Sequence, residues 1–312
     1  MQRIKFSNAQ TKRLHLNIEH AAGLDLPFVE PITNGGTLAI TGSGATLFEP
    51  TCFEHLQRHI RDGGQVMACK ESIRMLRERG VPVDFSCSMD PGPEQTRKTF
   101  IDRDITYFVA SSCSPVLFQH LMYRKCKVVV FHSACGAEEI RWVPAVPHPQ
   151  TVDGYAVVTP GVTRGEGPDG AIATPVYPVV LRNEQTLYET HWGEIGQPIA
   201  SGGLCVINRA ISLGRQLGFD RFELFGVGMG YRQGASYYAP GMVERAGNDG
   251  LELCDNGLID GRPWMTRPDL LVSARDLYDD INGGSVVIHG DSLATSLAKR
   301  SRAFVNEAAP RT

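Results

Sequence analysis

Several short stretches of this chain combine the residue types and spacing needed to hold and activate a phosphorylated ligand. Gly42-Ser43-Gly44 follows the apolar run Thr37–Thr41 and precedes a Pro-Thr helix opening, so its backbone can approach a ligand closely and present N–H groups to an anion. It is not a dinucleotide fingerprint or a Walker loop, because no third glycine and no Gly-Lys-Ser/Thr follow. Alone it fits an ordinary turn equally well. Asp90 closes the run "VDFSCSM" just before Pro-Gly-Pro, where it can hold Mg²⁺, a ribose hydroxyl or a sugar hydroxyl, or simply cap the next turn. Lys70 closes "QVMAC" in the same way and can meet a phosphate, or sit in solvent at a helix start.

Ser201-Gly202-Gly203 opens the helical stretch "GGLCVINRAISLGRQLG" with a hydroxyl and flexible backbone beside unpaired helix N–H groups. Any one such entrance is explained by a serine N-cap, but two of them at strand ends of one sheet point to a nucleotide. Tyr231 and Tyr237 lie in the glycine-rich stretch "FGVGMGYRQGASYYAP", where phenolic groups can donate to the oxygens of a departing phosphate.

These residues need a scaffold, and the chain supplies one by alternation. The runs "TLAIT", "QVMAC", "VDFSCSM", "TYFVAS", "KVVVFH", "RFELFGV" and "SVVIH" are short, apolar and β-rich. Between them lie amphipathic stretches such as "PTCFEHLQRHI", "ESIRMLRERG" and "SPVLFQHLMY". Strands apolar on both faces and joined by helical crossovers predict an α/β fold: a Rossmann-like, mostly parallel sheet with helices on both faces. Residues 1–32 read as a polar N-terminal arm and 33–312 as one domain. From 133 to 198 the rhythm fails in Pro- and Gly-rich sequence, which predicts an irregular lid or a small subdomain.

Composition narrows the function classes. With 312 residues, 42% of them hydrophobic, the chain can bury a full core. A net charge of −3 supplies no general basic field for nucleic acid or an anionic membrane. The longest apolar runs are strand-sized and the N-terminus lacks the apolar core of a signal peptide, so the expectation is a cytoplasmic protein without membrane insertion. Eight cysteines without a Cys-x-x-Cys pair read as reduced packing residues.

The order of these features resembles the MptE-like superfamily of archaeal 6-hydroxymethyl-dihydropterin diphosphokinases and motility-associated flagellin glycosyltransferases, and the related bacterial sialyltransferases. The residues that carry the resemblance are "GSGATL", "RERGVPVDFSCSMDP", "SGGLCVINRAISLGRQLGFDRFELFGVG" and "HGDSLATSLA". Tyr231 and Tyr237 fit the Tyr-x5-Tyr spacing of the sialyltransferases. There are departures as well. Gly261-Arg262 stands where the sialyltransferases carry Gly-His, and a guanidinium cannot act as that base. Gly226-Val227-Gly228 stands where many members carry Gly-x-Asp, and Ala45 replaces a proline.

The resemblance implies a glycosyltransferase-like enzyme that moves a sugar from a nucleotide-activated donor to a hydroxyl acceptor. Gly42, Ser43, Gly44, Lys70, Ser201, Gly202 and Gly203 would hold the nucleotide and its phosphates, and Asp90 would contact ribose or Mg²⁺. Tyr231 and Tyr237 would stabilise the leaving phosphate, and Arg262 its charge or an acidic acceptor. His132, His191 and Asp260 are the candidate bases. The acceptor remains open among glycan, protein, small molecule and modified nucleobase, as do the donor base and the oligomeric state. Two alternatives stand beside this reading: ATP-dependent diphosphate transfer to a pterin-like hydroxymethyl group, and an inactive module that binds a nucleotide or glycan.

Overall fold

The computed structural model describes residues 3–5, 13, 16–21, 23–27, 29, 35–133, 137–144, 151–152, 155–156, 161–165, 172–182, 199–200, 205–232, 252–255, 264–266 and 268–299. The strands in chain order begin with β1 (Arg3–Lys5), β2 (Thr37–Thr41), β3 (Gln65–Cys69), β4 (Phe85–Ser88), β5 (Thr106–Ala110) and β6 (Lys127–Ser133). Next come β7 (Ala137–Pro144), β8 (Thr151–Val152), β9 (Tyr155–Ala156), β10 (Gly161–Gly165), β11 (Ile172–Arg182) and β12 (Ile199–Ala200). The last are β13 (Arg221–Phe225), β14 (Tyr231–Arg232), β15 (Glu252–Asp255), β16 (Trp264–Thr266) and β17 (Val286–His289).

The main sheet has the order β12-β6-β5-β4-β3-β2-β13-β17, and every pairing in it is parallel. Seven strands are of full length, and the two-residue β12 extends one edge. The apolar runs of the sequence explain this arrangement. In β2, β3 and β5 the last four residues are all buried, as strands covered on both faces require. Each fully buried Leu or Ile, such as Leu38, Ile40 and Leu224, contributes roughly 2 kcal/mol of burial.

Helices cover both faces. The Val206–Gln216 helix crosses β2, β3 and β4, and its Gly214 lies against Leu38 and Phe222. The Pro50–Arg61 helix packs on the other face, where its His59 approaches Glu223. Glu223 and Phe222 are sequence neighbours, so their side chains leave opposite faces of β13. After β2 the chain crosses to the Glu223 face. After β13 it crosses to the Phe222 face, where the Pro268–Asp276 helix meets the Val206–Gln216 helix through Asn208 Nδ2 donating to the Ser273 carbonyl. The chain therefore switches direction between β2 and β13, the position at which open α/β sheets bind ligands.

Two features add to the sequence reading. The stretch from 133 to 198, expected to form an irregular lid or a small subdomain, contains β7, β10 and β11, which join β1 in an antiparallel sheet of order β1-β7-β11-β10. The N-terminal arm is docked on the sheet. Ile18 and Ala21 are fully buried, the Val29 N–H donates to the Val130 carbonyl, and the Val130 N–H donates to the Pro27 carbonyl. Those two bonds cover part of the β6 edge, a row of polar groups that otherwise invites pairing with another chain.

Candidate functional site

The site is built from the turns that leave the C-terminal ends of the parallel strands. β3 ends at Cys69 and β4 at Ser88, with Cys69 directly paired to Cys87. This register brings the residues that follow into contact. Lys70 Nζ stands 3.9 Å from Asp90 Oδ2, with the two side chains 43% and 30% exposed. A pair this open to solvent contributes at most about 1 kcal/mol to stability, so its placement is the more informative property. Asp90 Oδ1 accepts the Gly92 N–H at 3.0 Å and closes its own turn, which leaves Oδ2 toward Lys70 and solvent. Lys98 and Glu71 form a second pair nearby at 3.7 Å.

Lys70 holds a left-handed backbone, φ +56°, a conformation that costs a side-chain-bearing residue about 1–3 kcal/mol. Ser72 fixes the bend. Its hydroxyl lies 2.9 Å from the Cys69 carbonyl, 3.0 Å from the Thr41 carbonyl and 3.0 Å from the Thr41 hydroxyl, so the ends of β2 and β3 are tied through one buried side chain. Beneath Lys70, the Cys87 side chain and burial push the Cys69 thiol well up, and burial raises Cys205. Both stay protonated and serve as packing. The six cysteines whose side chains are described are free thiols.

The Gly42–Gly44 turn is bound by its neighbours. Gly42 N–H donates to the Phe225 carbonyl and Gly44 N–H to the Gly226 carbonyl, so two of its three amides bind the end of β13 and the turn after it. A Cβ on Gly42 or Gly44 would stand 2.7 or 2.6 Å from the Gly226 carbonyl oxygen. The glycines are thus required by backbone packing at the switch point, whatever the turn binds. The turn after β17 joins them: Gly290 lies against Thr46, and the Leu293 N–H donates to the Gly228 carbonyl. Within these three turns the buried hydroxyls of Thr46 and Ser292 have no hydrogen-bond partner among the described residues.

The Val206–Gln216 helix begins at the same end of the sheet. Its preceding residue, Cys205, has its Sγ 3.8 Å from Met229 Sδ, and Met229 is itself left-handed at φ +56°. Ser201, Gly202 and Gly203 lie just upstream, outside the described residues. Tyr237, Arg262, His191 and Asp260 also lie outside them. Tyr231 is described through its backbone, which pairs with Met265 in the sheet of order β14-β16-β15, and His132 through its pairing with Ile199.

A second group of titratable side chains was not anticipated from sequence. His289, at the end of β17, stacks on Phe225 with ring centroids 4.5 Å apart and meets the His55 ring at 4.5 Å with a 31° tilt. His289 Nε2 is 3.5 Å from Glu223 Oε2, a contact of ion-pair length, and His59 Nδ1 is 3.8 Å from the same oxygen. Burial lowers the His289 pKa, against the pull of Glu223.

Among the described residues no three His, Cys, Asp or Glu side chains are arranged to hold a metal ion. No helix among the described residues is long and apolar enough to cross a membrane.

No protein-family model matches the chain, and no curated protein sequence matches it. Among solved structures it is similar to the MAf glycosyltransferase from Magnetospirillum magneticum AMB-1, with a TM-score of 0.47 and 15% identity over 98% of this chain and 43% of that one. The chain thus spans less than half the length of that enzyme. The likeness assigns no residue a role.

Proposed function

We propose that this chain is a transferase that binds a nucleotide-activated sugar at the C-terminal end of its parallel sheet and passes the sugar to a hydroxyl acceptor. The observation that carries the reading is the Lys70–Asp90 pair at the ends of neighbouring strands β3 and β4, beside the β2–β13 switch point. A cation there meets the donor's phosphates, and the free edge of Asp90 meets a ribose hydroxyl or a phosphate-bound Mg²⁺. The buried hydroxyls of Thr46 and Ser292, without a hydrogen-bond partner among the described residues, are donors that phosphate oxygens would satisfy.

In the transfer, the acceptor oxygen bonds to the anomeric carbon as the bond from that carbon to the phosphate oxygen breaks. The electron pair stays on the phosphate and the hydroxyl proton leaves to a base. Lys70, Tyr231, Tyr237 and Arg262 are assigned to the phosphate that accumulates charge, and Ser43, Ser201, Gly202 and Gly203 to the nucleotide. The base remains to be chosen among His132, His191 and Asp260.

The test is a thermal-shift panel of UDP, CMP, GDP and their sugar conjugates, and of ATP, each with and without Mg²⁺. A ligand that binds only the folded chain raises its melting temperature. Selective stabilisation by one nucleoside diphosphate or monophosphate, lost in Lys70→Ala and Asp90→Asn, is the expected result. Stabilisation by ATP with Mg²⁺ alone would move the assignment to diphosphate transfer. No shift with any of them would remove the nucleotide site.

A further inference from the structure

Asp90 is held by more than its own turn. Asn17, in the helical segment 16–21, is 4% exposed, and its side chain uses both hydrogens of its amide. Nδ2 donates to the Pro91 carbonyl at 3.2 Å and to the Ser112 carbonyl at 2.7 Å. Pro91 directly follows Asp90, and Ser112 lies in the turn that leaves β5. One side chain from the N-terminal arm therefore spans the turns after two adjacent strands, 74 and 95 residues away in sequence.

Among the described residues the Asp90–Gly92 turn has few other restraints. Within it, the Gly92 N–H donates to Asp90 Oδ1, and the Gly92 carbonyl accepts the Gln95 N–H. Outside it, Lys70 lies across an exposed 3.9 Å gap that solvent screens. Pro91 has no N–H with which to anchor the turn to a neighbouring strand. Removing the Asn17 amide would leave the buried Ser112 carbonyl and the part-buried Pro91 carbonyl without this donor, and the turn would move to recover hydrogen bonds from water.

We infer that Asn17 is a positioning residue of the ligand site: it locks the Asp90–Gly92 turn to the Ser112 turn, and this makes the N-terminal arm a working part of the site. The inference deepens the proposed nucleotide reading and rests on it for its effect on binding. The clamp itself stands on the geometry alone.

The experiment uses the full chain and three variants. Asn17→Asp keeps the shape and removes both donors, Asn17→Ala removes the group, and Ile18→Ala loosens the packing of the same arm without touching the amide. Hydrogen exchange is followed by mass spectrometry in the ligand-free proteins, and binding of UDP, CMP and GDP is measured by titration. The expected result is faster exchange over residues 89–95 in both Asn17 variants, with roughly tenfold weaker binding of whichever nucleotide the wild type takes. Ile18→Ala is expected to lower the melting temperature and leave that affinity within about twofold of wild type.

Unchanged exchange over 89–95, or an equal loss of affinity in Ile18→Ala, overturns the inference. If the Asn17 variants do not fold, the wild type still decides. In low urea, residues 16–21 and 89–95 must gain exchange together, and independent opening overturns the clamp. If the wild type binds none of the nucleotides, the exchange result still judges the clamp, and only the nucleotide reading fails.

Discussion

Gly42 and Gly226 exclude side chains from one another: a Cβ on Gly42 would sit 2.7 Å from the Gly226 carbonyl oxygen, and one on Gly226 would sit 2.6 Å from the Gly42 carbonyl oxygen. Neither obstacle is a flexible side-chain end. Gly226 also holds φ +65° and would bring its Cβ within 2.8 Å of the Leu47 Cβ. Both Gly42→Ala and Gly226→Ala are expected to destabilise the chain by about 2–4 kcal/mol, combining backbone displacement with, for Gly226, a left-handed alanine. Urea denaturation measures this. A loss below about 0.5 kcal/mol at both positions would show that the two turns separate without cost.

Lys70 offers the opposite sign. Replacing it by glycine relieves the φ +56° backbone and is expected to stabilise the chain by about 0.5–1 kcal/mol, even though a screened ion pair with Asp90 is lost. The same substitution removes the cation from the proposed phosphate site, and nucleotide affinity should fall about tenfold or more. Measured together, a gain in melting temperature with a loss of affinity identifies strain retained for binding. A variant that loses stability and keeps affinity contradicts that role.

The hydroxyls of Thr46 and Ser292 make a similar split prediction. Each is buried without a partner among the described residues, so Thr46→Val and Ser292→Ala should be neutral or stabilising by up to about 1 kcal/mol in the free chain. If phosphate oxygens are their partners, both variants bind the nucleotide more weakly by roughly fivefold or more. Thermal melts with and without ligand separate the two effects, and unchanged affinity in both variants would place the phosphates elsewhere.

Acidification should act through His289. Its folded pKa lies below the ordinary 6.5, with burial the largest cause, so below pH 6.5 the unfolded chain binds the proton more readily than the folded one. Its stabilising contribution is complete above pH 6.5 and declines as pH falls from there toward the folded pKa. Glu223, His55 and His59 face the ring, and the Cys52 thiol donates to the His289 backbone carbonyl. His289→Gln should flatten the melting-temperature profile just below pH 6.5. A wild-type profile that is equally flat would assign the histidine no part in it.

The central sheet was legible because its strands are buried on both faces and therefore appear as continuous apolar runs. β7 and β11 were not, since "AEEIRWVP" mixes charges with apolar residues and "IATPVYPVVLR" carries two prolines, so neither gives a clean strand signal. Lys70 and Asp90 were each recognisable as strand-end residues. Their pairing depends on Cys69 lying opposite Cys87, a register that no local pattern states. Ser72 and Asn17 were missed for a related reason: their partners are mostly backbone carbonyls, which every residue type carries. The His289 group was invisible because its members come from a helix and two strands that meet only in the folded sheet.

The docked arm also sets an order of events in time. Asn17 reaches the Ser112 carbonyl across 95 residues, and Pro27 and Val29 add to β6, one of the outer strands of the sheet. Contacts this distant in sequence carry a large loop-closure cost and form late. During synthesis the segment around Asn17 leaves the ribosome well before the strands it must grip, and it has no surface to settle on until β5 and β6 are in place. Seating of the arm would then be a closing step of folding, and a chain stalled before β6 would hold its Asp90 turn without its outer brace.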